Sequence, residues 1–162
     1  MYEQQLARAI QLRNEEKKKE SNHLLLKMVE QYPNDAFVNY QCAWSFDVLG
    51  EESQAVPYYE KAIQQGLSGK ELEGAFIGLG STYRTLGQYK KAQSTFLKGI
   101  DLFPTNKALQ VFYAMTLYNL DEHSKAMELL LECLLHTTID AEILSYKNAI
   151  HFYAHQLDKV WQ

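Results

Sequence analysis

Phe76-Ile77-Gly78-Leu79-Gly80-Ser81-Thr82-Tyr83, followed by Ala92-Gln93-Ser94-Thr95-Phe96 and then Pro104, is the stretch on which the fold turns. Its order of small and large residues recurs along the chain. Thirty-four residues beyond Gly80, Tyr83, Ala92 and Phe96 stand Ala114, Leu117, Ala126 and Leu130. Thirty-seven residues before the same four stand Ala43, Phe46, Ala55 and Tyr59, and a further 34 back stand Ala9, Leu12, Ser21 and Leu25. Pro33 precedes Pro104 by 71 residues, the same two steps taken together. The longer step places three extra residues in Gly66-Leu67-Ser68-Gly69-Lys70, where glycines mark a turn. A fixed period of this length is the signature of a repeat architecture, in which each unit is one supersecondary element stacked on the next. The register places units at about 2–35, 36–72, 73–106 and 107–140, with 141–162 as an extra terminal helix.

The third unit resembles the tetratricopeptide repeat, with Phe76 in place of the leading Trp, and the resemblance extends over essentially the whole chain. It is weakest in the first unit, where Arg8 stands at the position of Leu79. The resemblance implies a single all-α domain over 1–162, a right-handed superhelix (solenoid) of four helical hairpins plus a C-terminal capping helix. Two helices that cross closely need small side chains at the crossing, which accounts for the pairs Gly80 with Ala92, Ala43 with Ala55 and Ala114 with Ala126. Tyr83 and Phe96 fill the space beside them. Gly50 and Gly87, with Asp121 in the fourth unit, are placed to supply the left-handed residue that ends a helix. Pro57 is expected in the first turn of its helix, and Pro33 and Pro104 at helix ends. Over 141–162 the apolar positions Ile143, Leu144, Ile150, Tyr153, Ala154, Leu157 and Val160 predict a helix that covers the last hairpin, as the exposed end of a solenoid requires.

Composition narrows the function class. Of 162 residues 46% are hydrophobic, enough for a sizeable core. With 16 basic and 20 acidic residues the net charge is −4, and no basic face points to a nucleic-acid partner. The one dense charge run, Glu15 to Glu20, mixes signs and suits a solvated turn. Cys42 and Cys133 fall in apolar helical patterns, where free cysteine behaves as a small hydrophobe. No stretch approaches the roughly 18 apolar residues of a membrane span, and the N-terminus lacks an apolar signal core. The expected compartment is therefore reducing and cytoplasmic, without membrane association.

A search for chemistry finds no enzyme. His151 and His155, four apart on one helical face, could reach one metal, but two ligands are not a site, and His151 occupies the register of Leu117 and Tyr83, which predicts packing. No metal site is expected. Gly74, Gly78 and Gly80 lack the spacing of a phosphate loop, there is no nucleophile elbow, and Cys42 has no adjacent base. Carboxylate pairs such as Glu15-Glu16 and Glu51-Glu52 fall at solvated turns. No cofactor and no small-molecule substrate are expected.

What the resemblance implies is a partner protein or peptide held in a concave groove lined by the first helix of each hairpin. Carried onto this register, the groove-facing residues are Leu6, Ile10 and Arg13; Tyr40, Trp44 and Asp47; Ile77, Ser81 and Arg84; and Val111, Met115 and Tyr118, with Phe37 at the rim. Core duty falls instead on neighbours such as Phe46, Leu79, Tyr83, Tyr113 and Leu117, so the apolar character of the groove set is not needed for packing. An aromatic and aliphatic groove suits an amphipathic helix or an apolar peptide. The alternative is a structural subunit whose groove is closed by its own helices or by a second copy. Members of the family that clamp a C-terminal carboxylate use Lys, Asn and Arg on this surface. Leu6, Ile10, Gln41, Ala108 and Phe112 stand there instead, so that activity is not expected.

Overall fold

A computed structural model describes residues 1–162 as ten α-helices without strands. Eight of them form four hairpins: α1 (Tyr2–Asn14) with α2 (Lys18–Gln31), α3 (Ala36–Asp47) with α4 (Glu52–Gln64), α5 (Gly69–Thr85) with α6 (Tyr89–Leu102), and α7 (Lys107–Asn119) with α8 (His123–Thr137). Two short helices follow, α9 (Ala141–Ser145) and α10 (Lys147–Ala154). The odd-numbered helices of the hairpins also touch one another in chain order, α1 on α3, α3 on α5 and α5 on α7, and so form one side of the stack.

Within each hairpin the turn is made by one residue in the left-handed conformation: Glu16, Gly50, Gly87 and Asp121, at φ 61°, 72°, 72° and 60°. These positions step along the chain with the same 34, 37 and 34 residues as the packing positions. In each case the next amide bonds back five residues, Lys17 to Leu12, Glu51 to Phe46, Gln88 to Tyr83 and Glu122 to Leu117, at 2.8–3.0 Å. This is the hydrogen-bond pattern that satisfies orphan carbonyls at a helix end. Glu16 was not foreseen in this role, and it carries a Cβ where two of its counterparts carry none. Helices α3 and α7 are started by side-chain caps, Val38 N–H donating to Asp35 at 2.9 Å and Leu109 N–H to Asn106 at 3.1 Å.

Every small residue assigned to a crossing is buried, with Ala43, Ala55, Ala92, Ala114 and Ala126 among the least exposed in the molecule. The space at Gly80 is taken by an aromatic ring rather than by Ala92, because a Cβ on Gly80 would lie 2.5–2.8 Å from three atoms of the fully buried Phe96. Gly74 and Gly78 of the same helix repeat the device toward the preceding hairpin, receiving Tyr40 and Tyr59 respectively. One apolar cluster runs unbroken from Ala9 to Leu109, and a separate small one, Ala114, Leu117 and Ala126, serves the last hairpin.

Three local expectations are corrected. The three extra residues do not lengthen the loop: α5 begins 11 residues before Gly80, whereas α3 and α7 begin seven before Ala43 and Ala114, so the insertion adds one helical turn to α5. Gly66, at φ 87°, ends α4 before it. Pro57 lies in the second turn of α4, where its missing amide leaves the Ser53 carbonyl without its intrahelical partner. The terminal cap is divided at Tyr146, where φ −99° and ψ 10° leave the helical region, and the chain beyond Ala154 continues without helix.

Candidate functional site

The inner helices α1, α3, α5 and α7 set the groove residues side by side, but not in equivalent surroundings. At the N-terminal end the guanidinium of Arg13 lies over the Trp44 ring, 3.8 Å from its centroid, and donates to Gln41 Oε1 at 2.8 Å. Arg13 is buried, and loss of solvent lowers its proton affinity. Tyr40 is likewise buried, its ring centroid 6.1 Å from Trp44 and 6.2 Å from Tyr59. Leu6 and Ile10 are half-buried.

Asp47 is turned inward. Its carboxylate accepts from the Tyr59 hydroxyl at 2.5 Å and from the Thr82 hydroxyl at 3.0 Å. Burial raises its proton affinity above that of an ordinary aspartate, the two hydroxyls opposing the shift. The same carboxylate, with burial as the larger cause, pushes the Tyr59 hydroxyl far up. In the next repeat Arg84 donates to Asn119 Oδ1 at 3.2 Å. Arg13 Nη1, Ser81 Oγ and Arg84 Nε are buried without a hydrogen-bond partner in the protein.

The C-terminal end of the row is open. Met115 is 40% exposed and Tyr118 63%; Trp44, back on α3, is also 40% exposed, and Ile77 and Val111 are half-buried. Met115 and Tyr118 border a cavity of about 440 Å³ completed by Arg84, Asn119, His123, Met127 and Leu130. Met127 and Leu130 were missed by the sequence reading, although the register held the signal. Leu130 is the counterpart of Tyr59, seated against Gly78 of α5, and of Phe96, stacked on Phe112 of α7, but it is left exposed. The cap lies elsewhere: α10 packs on the outer helix α8. His151 does not pack as its register suggested, being exposed and hydrogen-bonded to Glu132.

Comparison with known proteins agrees with this architecture. The family model described as Tetratrico peptide repeat matches residues 36–157. The chain belongs to the tetratricopeptide repeat family. Repeats of this family generally serve as scaffolds for protein–protein contacts. Superkiller protein 3 of Saccharomyces cerevisiae is 27% identical over 94 residues, 54% of this chain, which spans only 6% of that protein's length. Among solved structures, MamA MSR-1 has a TM-score of 0.73 at 16% identity, with 82% of this chain and 75% of that one covered. YrrB, described as a TPR protein with an unusual peptide-binding site, has a TM-score of 0.65 at 19% identity over 96% and 91% of the two chains. Pseudomonas aeruginosa pilF gives 0.71 at 12% identity over 99% and 78%. At these identities the likeness is one of fold. No helix is long and apolar enough to cross a membrane.

Proposed function

We propose that this repeat protein holds an apolar or amphipathic helix of a partner protein on its concave surface, with contact centred on Trp44, Ile77, Val111, Met115 and Tyr118. The observation that carries the reading is the exposure of Met115 and Tyr118 beside a cavity of about 440 Å³. The equivalent side chains in the two preceding repeats, Asp47 and Arg84, are engaged by the next inner helix. Aromatic and aliphatic anchors in a pocket are the groups that dominate binding energy, and the helix-in-groove mode needs such a row. The peptide-binding site named for YrrB is a precedent on the same fold. Closure of the groove by the chain itself is less well supported, because the chain after α8 packs on that outer helix and leaves Met115 and Tyr118 exposed.

The test is co-purification from cell lysate with mass spectrometry, using the wild-type chain beside Trp44→Ala and Tyr118→Ala, together with circular dichroism melts of all three. Each variant is expected to lose the same set of partners, with about 2 kcal/mol or more of binding removed, while melting close to wild type. Retention of every partner by both variants would refute the groove. So would a Trp44→Ala protein that loses partners only because it has lost about 3–5 kcal/mol of stability, the magnitude of a core cavity.

A further inference from the structure

Three of the five histidines in the chain converge on one carboxylate. Glu132 on α8 places Oε1 2.6 Å from His151 Nδ1 and 3.4 Å from His155 Nε2, while its Oε2 lies 4.0 Å from His136 Nδ1. The other nitrogen of His155, Nδ1, is 2.8 Å from Glu128 Oε1. Neither glutamate is paired with a lysine or arginine. The two imidazoles stand nearly perpendicular, centroids 5.0 Å apart. One ligand atom each from Glu132, His151 and His155 falls within 4.8 Å of the others, close enough for a single ion to reach all three.

We propose that Glu132, His151 and His155 form a three-ligand site for a divalent ion of the zinc class, which clamps the terminal helix α10 onto the last hairpin. The ligand chemistry fits: two neutral imidazoles and a carboxylate are donors for zinc at about 2.0–2.2 Å, and the fourth position is left to water. His155 is already oriented for it, since Nδ1 faces Glu128 while Nε2 faces the shared carboxylate. This is the arrangement in which an outer carboxylate fixes the tautomer and aims the metal-binding nitrogen. An ion between them would take the place of the hydrogen bond that His151 Nδ1 and Glu132 Oε1 make with each other. The need for a clamp is structural. Ala154 is the one buried side chain of α10, so the helix brings little apolar surface to α8 and is held there by these polar contacts. The sites are solvent-accessible, with side chains of His151 and His155 exposed by 59% and 44%. Helical spacing places the two histidines on one face; the third ligand comes from a helix 19 residues away.

The experiment is calorimetric titration of the full, reduced chain with zinc chloride in a non-coordinating buffer, paired with hydrogen exchange. One-to-one saturable binding is expected, lost in His151→Ala and in Glu132→Gln, and weakened about tenfold or more in Glu128→Gln. Zinc should slow amide exchange across 147–154, and magnesium or calcium should not. Absence of saturable zinc binding would overturn the site, as would binding unaffected by both His151→Ala and Glu132→Gln, or equal binding of magnesium. Glu132→Gln keeps the shape of the side chain, so its folding can be checked by its wild-type melting curve without zinc.

Discussion

Replacing Gly78 by alanine separates helix propensity from packing, because the two act in opposite directions. In the interior of α5, alanine is favoured over glycine by about 1 kcal/mol. Against that, the new Cβ would lie 2.9 Å from Tyr59 Cε1, with Cζ and Oη nearer still. Tyr59 is 2% exposed and cannot swing into solvent. Forcing a methyl into a filled core costs about 1–3 kcal/mol. Moving the ring also disturbs its 2.5 Å bond to the Asp47 carboxylate, and a hydrogen bond to a charged group contributes about 1.5–3 kcal/mol. At mid-values the net loss is about 3 kcal/mol, or a fall in melting temperature of about 6–12 °C for a chain of this length. Thermal and urea denaturation of Gly78→Ala beside wild type measure it. A variant that melts at or above the wild-type temperature would refute the reasoning and show that Tyr59 is not seated against α5.

Glu16→Gly should stabilise the protein by about 0.5–1 kcal/mol, since a left-handed conformation is strained for a residue with a Cβ and the loss of unfolded-state rigidity only partly offsets the gain; a higher urea midpoint is the expected reading. Asp47 has a raised folded-state pKa, so the native state takes up its proton first and stability from this group is present at low pH and lost as pH rises through that raised value. The difference in melting temperature between wild type and Asp47→Asn should therefore shift in favour of wild type as pH falls from about 7 towards 4; a constant difference would remove Asp47 from the account. Burial pushes the Cys42 thiol up to about 12 and raises that of Cys133, so neither should react with a disulfide reagent until the chain unfolds.

The hairpins were legible because a close helix crossing leaves a steric record. Gly80, Ala43 and Ala114 cannot drift to large residues without separating two helices, so the small positions keep their spacing and give the register. What the crossing does not constrain could not be read the same way. A three-residue insertion beside two glycines satisfies the register equally as loop or as an added turn of α5, and Gly69 serves as the first residue of that turn. Glu16 adopts φ 61° because its position in the turn demands it, against the preference of its side chain. Along the groove, residue type alone did not separate Asp47, bonded inward to Tyr59 and Thr82, from Tyr118, exposed at the same register. The third partner of the histidine pair depended on how α10 crosses α8, an angle that no local pattern records.

One register position explains why the open surface lies at the C-terminal end. Arg13, Asp47, Arg84 and Tyr118 are equivalent under the steps of 34, 37 and 34 residues. The first three each bond to the inner helix of the following repeat, through Gln41, Thr82 and Asn119. They are the polar ties that hold successive inner helices in line. Tyr118 has no following inner helix, and the only ring it meets is His123 in its own hairpin, 4.8 Å away between centroids. A partner helix laid against α7 would take the place of that missing helix, cover Met115, Met127 and Leu130, and supply the bond that the tyrosine hydroxyl lacks. Trp44, by contrast, already has one face covered by Arg13. Tyr118→Ala is therefore expected to weaken binding more than Trp44→Ala, and Tyr118→Phe to restore the apolar share of it. A Trp44→Ala defect larger than that of Tyr118→Ala would mean that the partner is read along the middle of the groove and not at its open end.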